Sequence, residues 1–143
     1  MTGVNVPQGY TVLTANASST TGAGLSATIQ GPVGTSGRSV YLTGISYQCT
    51  GATAATNLAI TVSYFNAAGA VAITAGFVYP ITGTAGAVQT PMIISLDPPL
   101  ASPLVQNGIA SGAGPNIGAI NISVSSAGAG ATACALNIWG YML

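Results

Sequence analysis

Apolar and polar residues alternate one for one along much of this chain, and no stretch keeps a helical period of apolar positions beyond two turns. A period of two is the spacing of a strand that buries one face and wets the other. The pattern is clearest in NLAITVSYF, where Leu58, Ile60, Val62 and Tyr64 share one face and Ala59, Thr61 and Ser63 the opposite one. Asn66 to Gly69 then form a turn of hairpin length, and alternation resumes through Val71, Ile73, Ala75 and Phe77. Further strands are predicted in YTVLT from Tyr10, LSATIQ from Leu25, SVYLTGISYQC from Ser39, PMIISL from Pro91, IGAINISVS from Ile117 and the closing TACALNIWGYML. In IGAINISVS, Ile120, Ile122 and Val124 alternate with Ala119, Asn121 and Ser123, which predicts one wet side.

About eight short strands joined by loops rich in Gly, Pro and Ser predict an all-β fold, an antiparallel β-sandwich or jelly roll. A length of 143 residues suits a single domain. Residues 10–143 are expected to form the sandwich and residues 1–9 an N-terminal arm or extended segment, in which Pro7 limits helix formation. DPPLASPLVQNG, from Asp97 to Gly108, carries Pro98, Pro99 and Pro103 and reads as an edge or crossing loop rather than a central strand.

The two cysteines suggest a pairing. If SVYLTGISYQC runs antiparallel to the last segment so that Cys49 faces Cys134, then Tyr47 faces Leu136, Ile45 faces Ile138, Thr43 faces Gly140 and Tyr41 faces Met142. All of these pairs but one are apolar, as an inward-facing ladder requires. Directly opposed residues on adjacent strands rarely suit a disulfide. The amino end has no secretory signal, which points to a reducing cytoplasm. The expectation is therefore two buried thiols rather than a bridge. On this pattern Cys134, Leu136, Ile138 and Met142 face inward from a central strand, and Trp139 and Tyr141 face the other way.

Charge then removes whole classes of function. Arg38 and Asp97 are the only residues drawn from Lys, Arg, Asp and Glu, and there is no His. Charged residues make up 1% of the chain, against about 25% in an average soluble protein. Duplex DNA is held by several Lys and Arg on its phosphates, and anionic lipid by basic clusters, so neither nucleic acid nor membrane is expected as a partner. No apolar run approaches the ~20 residues of a spanning helix, and the chain is expected to be soluble. Without His, Glu or Lys a serine nucleophile has no activating base, and Asp97 alone makes no carboxylate pair. One Asp and two separated Cys are too few ligands for zinc. TGAG, SGAG and SAGAGA lack the lysine and strand-to-helix context of a phosphate loop and read as turns. The expectation is a protein with no catalytic residue, no cofactor and no metal.

What remains is surface. Trp139 and Tyr141 form a candidate interface or ligand platform; packing in the fold or in a subunit contact is the simpler reading, and stacking on sugars is the alternative. Arg38 follows the turn GTSG and reads as a solvated strand edge, and Asp97 as a solvated loop carboxylate; an ion pair between them across a subunit contact is the other possibility. Net charge near zero promotes association, interface cores are depleted in charge, and uncharged polar groups cost less to desolvate than ions. Such a composition suits a permanently assembled subunit.

The run SVYLTGISYQCTGATAATNLAITVSYFNAAG, then SLDPPLASPL, then INISVSSAGAGATACALNIWGYML, resembles the capsid decoration or cement proteins of tailed bacteriophages. The likeness covers roughly residues 39–143 and is one of strand pattern. It implies a jelly roll, commonly trimeric, that sits on the outer capsid surface, clamps neighbouring copies of the major capsid protein and has no catalytic role. Such a protein is made in the host cytoplasm, and residues 1–7 would form either an arm to a capsid neighbour or an ordinary frayed terminus. The alternative is a trimeric recognition module, a fibre tip or collagen-stalk head, that binds a cell-surface glycan. An ice-binding face would need a regular Thr spacing, which this chain lacks.

Overall fold

A computed structural model describes residues 9–31, 38–50, 56–66, 69–81, 83–84, 86–102, 118–127 and 133–143. The arm expected at residues 1–9 lies outside the described residues except for Gly9. So does the stretch of the proline-rich segment from Pro103 to Gly108.

The eight strands are β1 (Thr11–Ser19), β2 (Leu25–Ile29), β3 (Val40–Cys49), β4 (Thr56–Asn66), β5 (Gly69–Ile81), β6 (Met92–Ala101), β7 (Ile120–Val124) and β8 (Cys134–Met142). They form two four-stranded sheets, sheet A in the order β1-β8-β3-β6 and sheet B in the order β2-β7-β4-β5. Every pairing is antiparallel. Apart from the β4–β5 hairpin, the chain crosses between sheets at each connection, which is the winding of an eight-stranded jelly roll.

Alternation explains the sandwich. Leu42, Ile45, Tyr47, Leu136, Ile138 and Met142 of sheet A meet Ile29, Leu58, Ile60, Ile120 and Ile122 of sheet B, and each is at most 1% exposed. Burying one such side chain contributes about 1.5–3 kcal/mol, so this shared layer holds the two sheets together. Leu58, Ile60 and Val62 lie in the core as their alternation predicts, with Tyr64 half-buried beside them. In the hairpin Asn66 pairs with Gly69, and the ladder shifts between Thr61 and Val62.

The β3–β8 register begins as expected, with Cys49 opposite Cys134, Tyr47 opposite Leu136 and Ile45 opposite Ile138. It then slips at a bulge. Leu42, not Thr43, faces Gly140; Tyr41 faces Tyr141, and Val40 faces Met142. The cause is a change of parity in β3, where Val40 and Leu42 are buried at even positions and Ile45, Tyr47 and Cys49 at odd ones. Strict alternation would put one of these groups in water, and one extra residue on the bulged strand keeps both inside.

The thiol expectation is corrected as well. Cys49 and Cys134 are joined as a disulfide. Thr50 N–H donates to Ala133 O at 2.9 Å, so the next pair along the ladder is a non-hydrogen-bonded one. That is the closely spaced kind, and the two Cα atoms are 4.1 Å apart. Both cysteines point inward, 1% and 3% exposed, so their sulfurs meet within the core.

The prolines do mark an edge, but the strand continues through them. β6 is the outer strand of sheet A and pairs with β3 through Met92–Ser95 and again through Leu100 and Ala101. Leu96 to Pro99 are left without a partner in that ladder, opposite the bulge at Thr43, and the Asp97–Pro98 peptide there is cis.

Candidate functional site

The outer face of sheet A is built from the side chains that alternate away from the core. Its first row across the strands is Val12, Tyr141, Tyr41 and Ala101; its second is Thr14, Trp139, Gly44 and Ser95; its third is Asn16, Asn137, Ser46 and Ile93. None of these residues is charged.

The first row is an aromatic ladder. The Tyr41 and Tyr141 rings are stacked, with centroids 4.9 Å apart and planes 14° from parallel. That separation equals the distance between neighbouring strands, about 4.8 Å, so the rings stand upright side by side. Tyr10 closes the row edge-on against Tyr141, at 5.1 Å and 80°. The faces of Tyr141 are thus covered by its neighbours. Among the described residues no group accepts a hydrogen bond from these three phenols. Burial, and then the adjoining Tyr41 and Tyr10, hold the Tyr141 hydroxyl above the usual phenol range.

Trp139 sits differently. A Cβ on Gly44 would fall against the indole atoms Cε2, Cζ2 and Nε1, so the ring lies over the bare glycine. The bulge residue Thr43 donates its hydroxyl to Trp139 O at 3.1 Å, which ties the extra residue to β8. Gly140 is needed for the same reason: a Cβ there would strike the carbonyl oxygen of Tyr41 and approach Ile29 Cδ1. In the third row, Asn137 Nδ2 donates to Ser46 Oγ at 3.4 Å.

Trp139 and Tyr141 therefore share the outer face, both half-buried and neither in the inter-sheet core. Arg38 is exposed just before β3, and Asp97 is exposed in the unpaired part of β6. Among the described residues no ion pair joins them. Tyr10, Tyr41 and Gly44 complete the face. The signal for Tyr41 was the parity change at Thr43–Gly44, since a bulge there turns Tyr41 outward beside Tyr141.

Cavities also lie elsewhere. One of about 400 Å³ opens at the end of sheet A over Cys49 and Cys134, with Ser18, Gln48, Thr50 and Val88 around it. Another of about 390 Å³ lies against β5 and β6, lined by Val78, Tyr79, Pro80, Gln89, Pro91 and Met92 among others. Tyr79 donates its hydroxyl to Thr90 O at 3.0 Å, and burial raises its pKa, partly offset by a backbone contact at Cys49. Neither lining brings a nucleophile beside a base. Among the described residues no three of His, Cys, Asp and Glu come together.

Comparison with known protein families, with characterised proteins and with solved structures finds no match.

Proposed function

We propose that this chain is a non-catalytic structural virion protein, a homotrimer that decorates and stabilises a bacteriophage capsid by binding the outside of its major capsid protein. The observation that carries the reading is a jelly roll whose three paired rows on the outer face of sheet A carry no charge, where a row of upright tyrosines offers phenol edges and hydroxyls with no acceptor among the described residues. Jelly rolls serve viral capsids and lectins alike, so the surface decides. Burying such a face desolvates no ion, and aromatic residues are enriched where interfaces are buried.

Mass spectrometry of purified virions tests it. The chain is expected at a copy number in simple ratio to the major shell protein, and its absence sinks the proposal. Occupancy should change little between low and high salt, because almost no charges are available to be screened. With no His or Glu it should also be nearly constant from about pH 5 to 8, the range in which unperturbed His titrates. A steep loss on adding salt would count against the reading. Light scattering after size exclusion should give three copies.

A second reading is favoured by Trp139 alone, whose indole lies over Gly44 rather than between upright neighbours. A ring in that pose suits stacking on a glycan. Trp139→Ala separates the two: loss of glycan binding with the trimer intact supports recognition, whereas loss of the trimer or of capsid occupancy supports decoration.

A further inference from the structure

We propose that Cys49 and Cys134 remain thiols while the subunit is synthesised and folds, and that their bond is a lock set afterwards by an oxidising medium. The inference rests on the virion reading, in which the chain is made in the cytoplasm and acts outside the cell. Cytoplasmic thiols are kept reduced, whereas virion surfaces permit disulfides.

The placement of the pair favours a late bond. The cysteines lie 85 residues apart in sequence, on the inner face of two central strands. A slip of one residue would turn either of them outward. Their sulfurs therefore meet only when the β3–β8 register is complete, its bulge included. The register does not depend on the bond, because Tyr47–Leu136, Ile45–Ile138 and Val40–Met142 pair apolar side chains along the same face. No other cysteine is present to compete.

The end of the sheet is also where a small reagent comes nearest, and because the cysteines are 1% and 3% exposed their sulfurs are reached when that end opens. The cavity of about 400 Å³ has both cysteines in its lining, with only uncharged residues around them. A low-molecular-weight disulfide that enters is attacked by the thiolate of one cysteine, which forms a mixed disulfide and releases one small thiol. The other cysteine then attacks the protein sulfur of that mixed disulfide and releases the second small thiol. Two S–H bonds and one small S–S bond are exchanged for two small S–H bonds and the Cys49–Cys134 bond. The protein is oxidised by two electrons and the small disulfide is reduced by two.

The test counts thiols. Cells making the chain are quenched in acid, and the denatured protein is alkylated; two modified cysteines are expected there, and none on released virions. The isolated folded dithiol protein, treated with 2-hydroxyethyl disulfide, should lose both thiols without retaining an adduct. Its melting temperature should rise on the order of 10 °C. The double variant C49A/C134A should still assemble, and its melting temperature should not respond to 2-hydroxyethyl disulfide.

A bond already present in acid-quenched cells overturns the proposal. So does a folded dithiol chain that resists the probe while the unfolded chain reacts. If isolated protein oxidises as described but the chain is absent from virions, the virion reading fails and the late-oxidation chemistry stands.

Discussion

The paired rows on the outer faces of the two sheets are both uncharged and do opposite things. On sheet B the rows are Thr28–Asn121–Ser63 and Ser26–Ser123–Thr61. There Asn121 Nδ2 donates to Ser26 Oγ at 2.7 Å and Thr28 Oγ1 at 2.8 Å, and approaches Ala27 O at 3.3 Å. The face satisfies itself from within. On sheet A the corresponding strands carry an aromatic ladder whose phenols find no acceptor among the described residues. A polar surface that spends its hydrogen bonds internally is suited to stay in water. One that holds apolar rings upright, with hydroxyls that find no acceptor among the described residues, is suited to be covered.

The contrast depends on the bulge that turns Tyr41 outward, so the largest effect is expected where that bulge is most tightly packed. Gly140→Ala would drive a Cβ into the Tyr41 carbonyl, which is backbone and has nowhere to move without undoing the β3–β8 register. A loss of about 3 kcal/mol is expected, the upper range for overpacking. Thr61→Ala, on the exposed polar face of sheet B, should stay within about 0.5 kcal/mol. Urea denaturation measures both. Equal stability of Gly140→Ala and the unaltered chain would mean that the ladder does not need this close approach.

Alkali separates the faces by titration. Tyr47, packed edge-on against Tyr79 in the core, has its pKa pushed up to about 12 by burial and then by Tyr79, from an ordinary 10.0. The folded state therefore holds this proton more tightly than the unfolded state. Its contribution is complete below about pH 10 and is lost as pH rises towards about 12, a fall of about 2–3 kcal/mol. Tyr141 shifts in the same direction and adds to the loss from the outer face of sheet A. The rows of sheet B contain no group that ionises in this range. Denaturant midpoints followed upward from about pH 8, with phenolate absorbance, should show the decline, and Tyr47→Phe should remove the Tyr47 share while that of the buried Tyr79 stays. A midpoint unchanged to about pH 12 refutes the assignment.

Alternation was enough to locate every strand, because the more buried residues recur at every second position along most of their length. It also placed Cys49 against Cys134, since that register aligns apolar partners over several pairs. It failed at Thr43, where a period of two carried through the bulge sends Tyr41 inward. The clue was local, a glycine where the apolar positions change from even to odd. The aromatic ladder was less legible because its rings come from before β1, from β3 and from β8. Their meeting is set by the sheet order, which periodicity does not specify. The bonded cysteines were missed for a related reason: whether an opposed pair is of the closely spaced kind depends on the hydrogen-bond phase of the ladder.

A smaller effect than those of Gly140 and Tyr47 sharpens the comparison from the wet side. Asn121→Ala removes a side chain whose amide has partners on β2, the neighbouring strand of a short five-residue pairing. Ser26 and Thr28 then lose their partner, but both lie towards solvent and can turn to water, so the cost is one to two ordinary hydrogen bonds, about 1–2 kcal/mol. On the decoration reading proposed above, the outer face of sheet A is untouched by this change, so oligomer size and particle occupancy should be unchanged at temperatures below melting. Tyr141→Ala is the matched variant on the other face. It removes the middle ring of the ladder and should abolish assembly out of proportion to its effect on melting. Melting curves and light scattering on the two variants give four numbers. If Asn121→Ala dissociates the assembly while Tyr141→Ala leaves it whole, the roles assigned to the two faces are reversed.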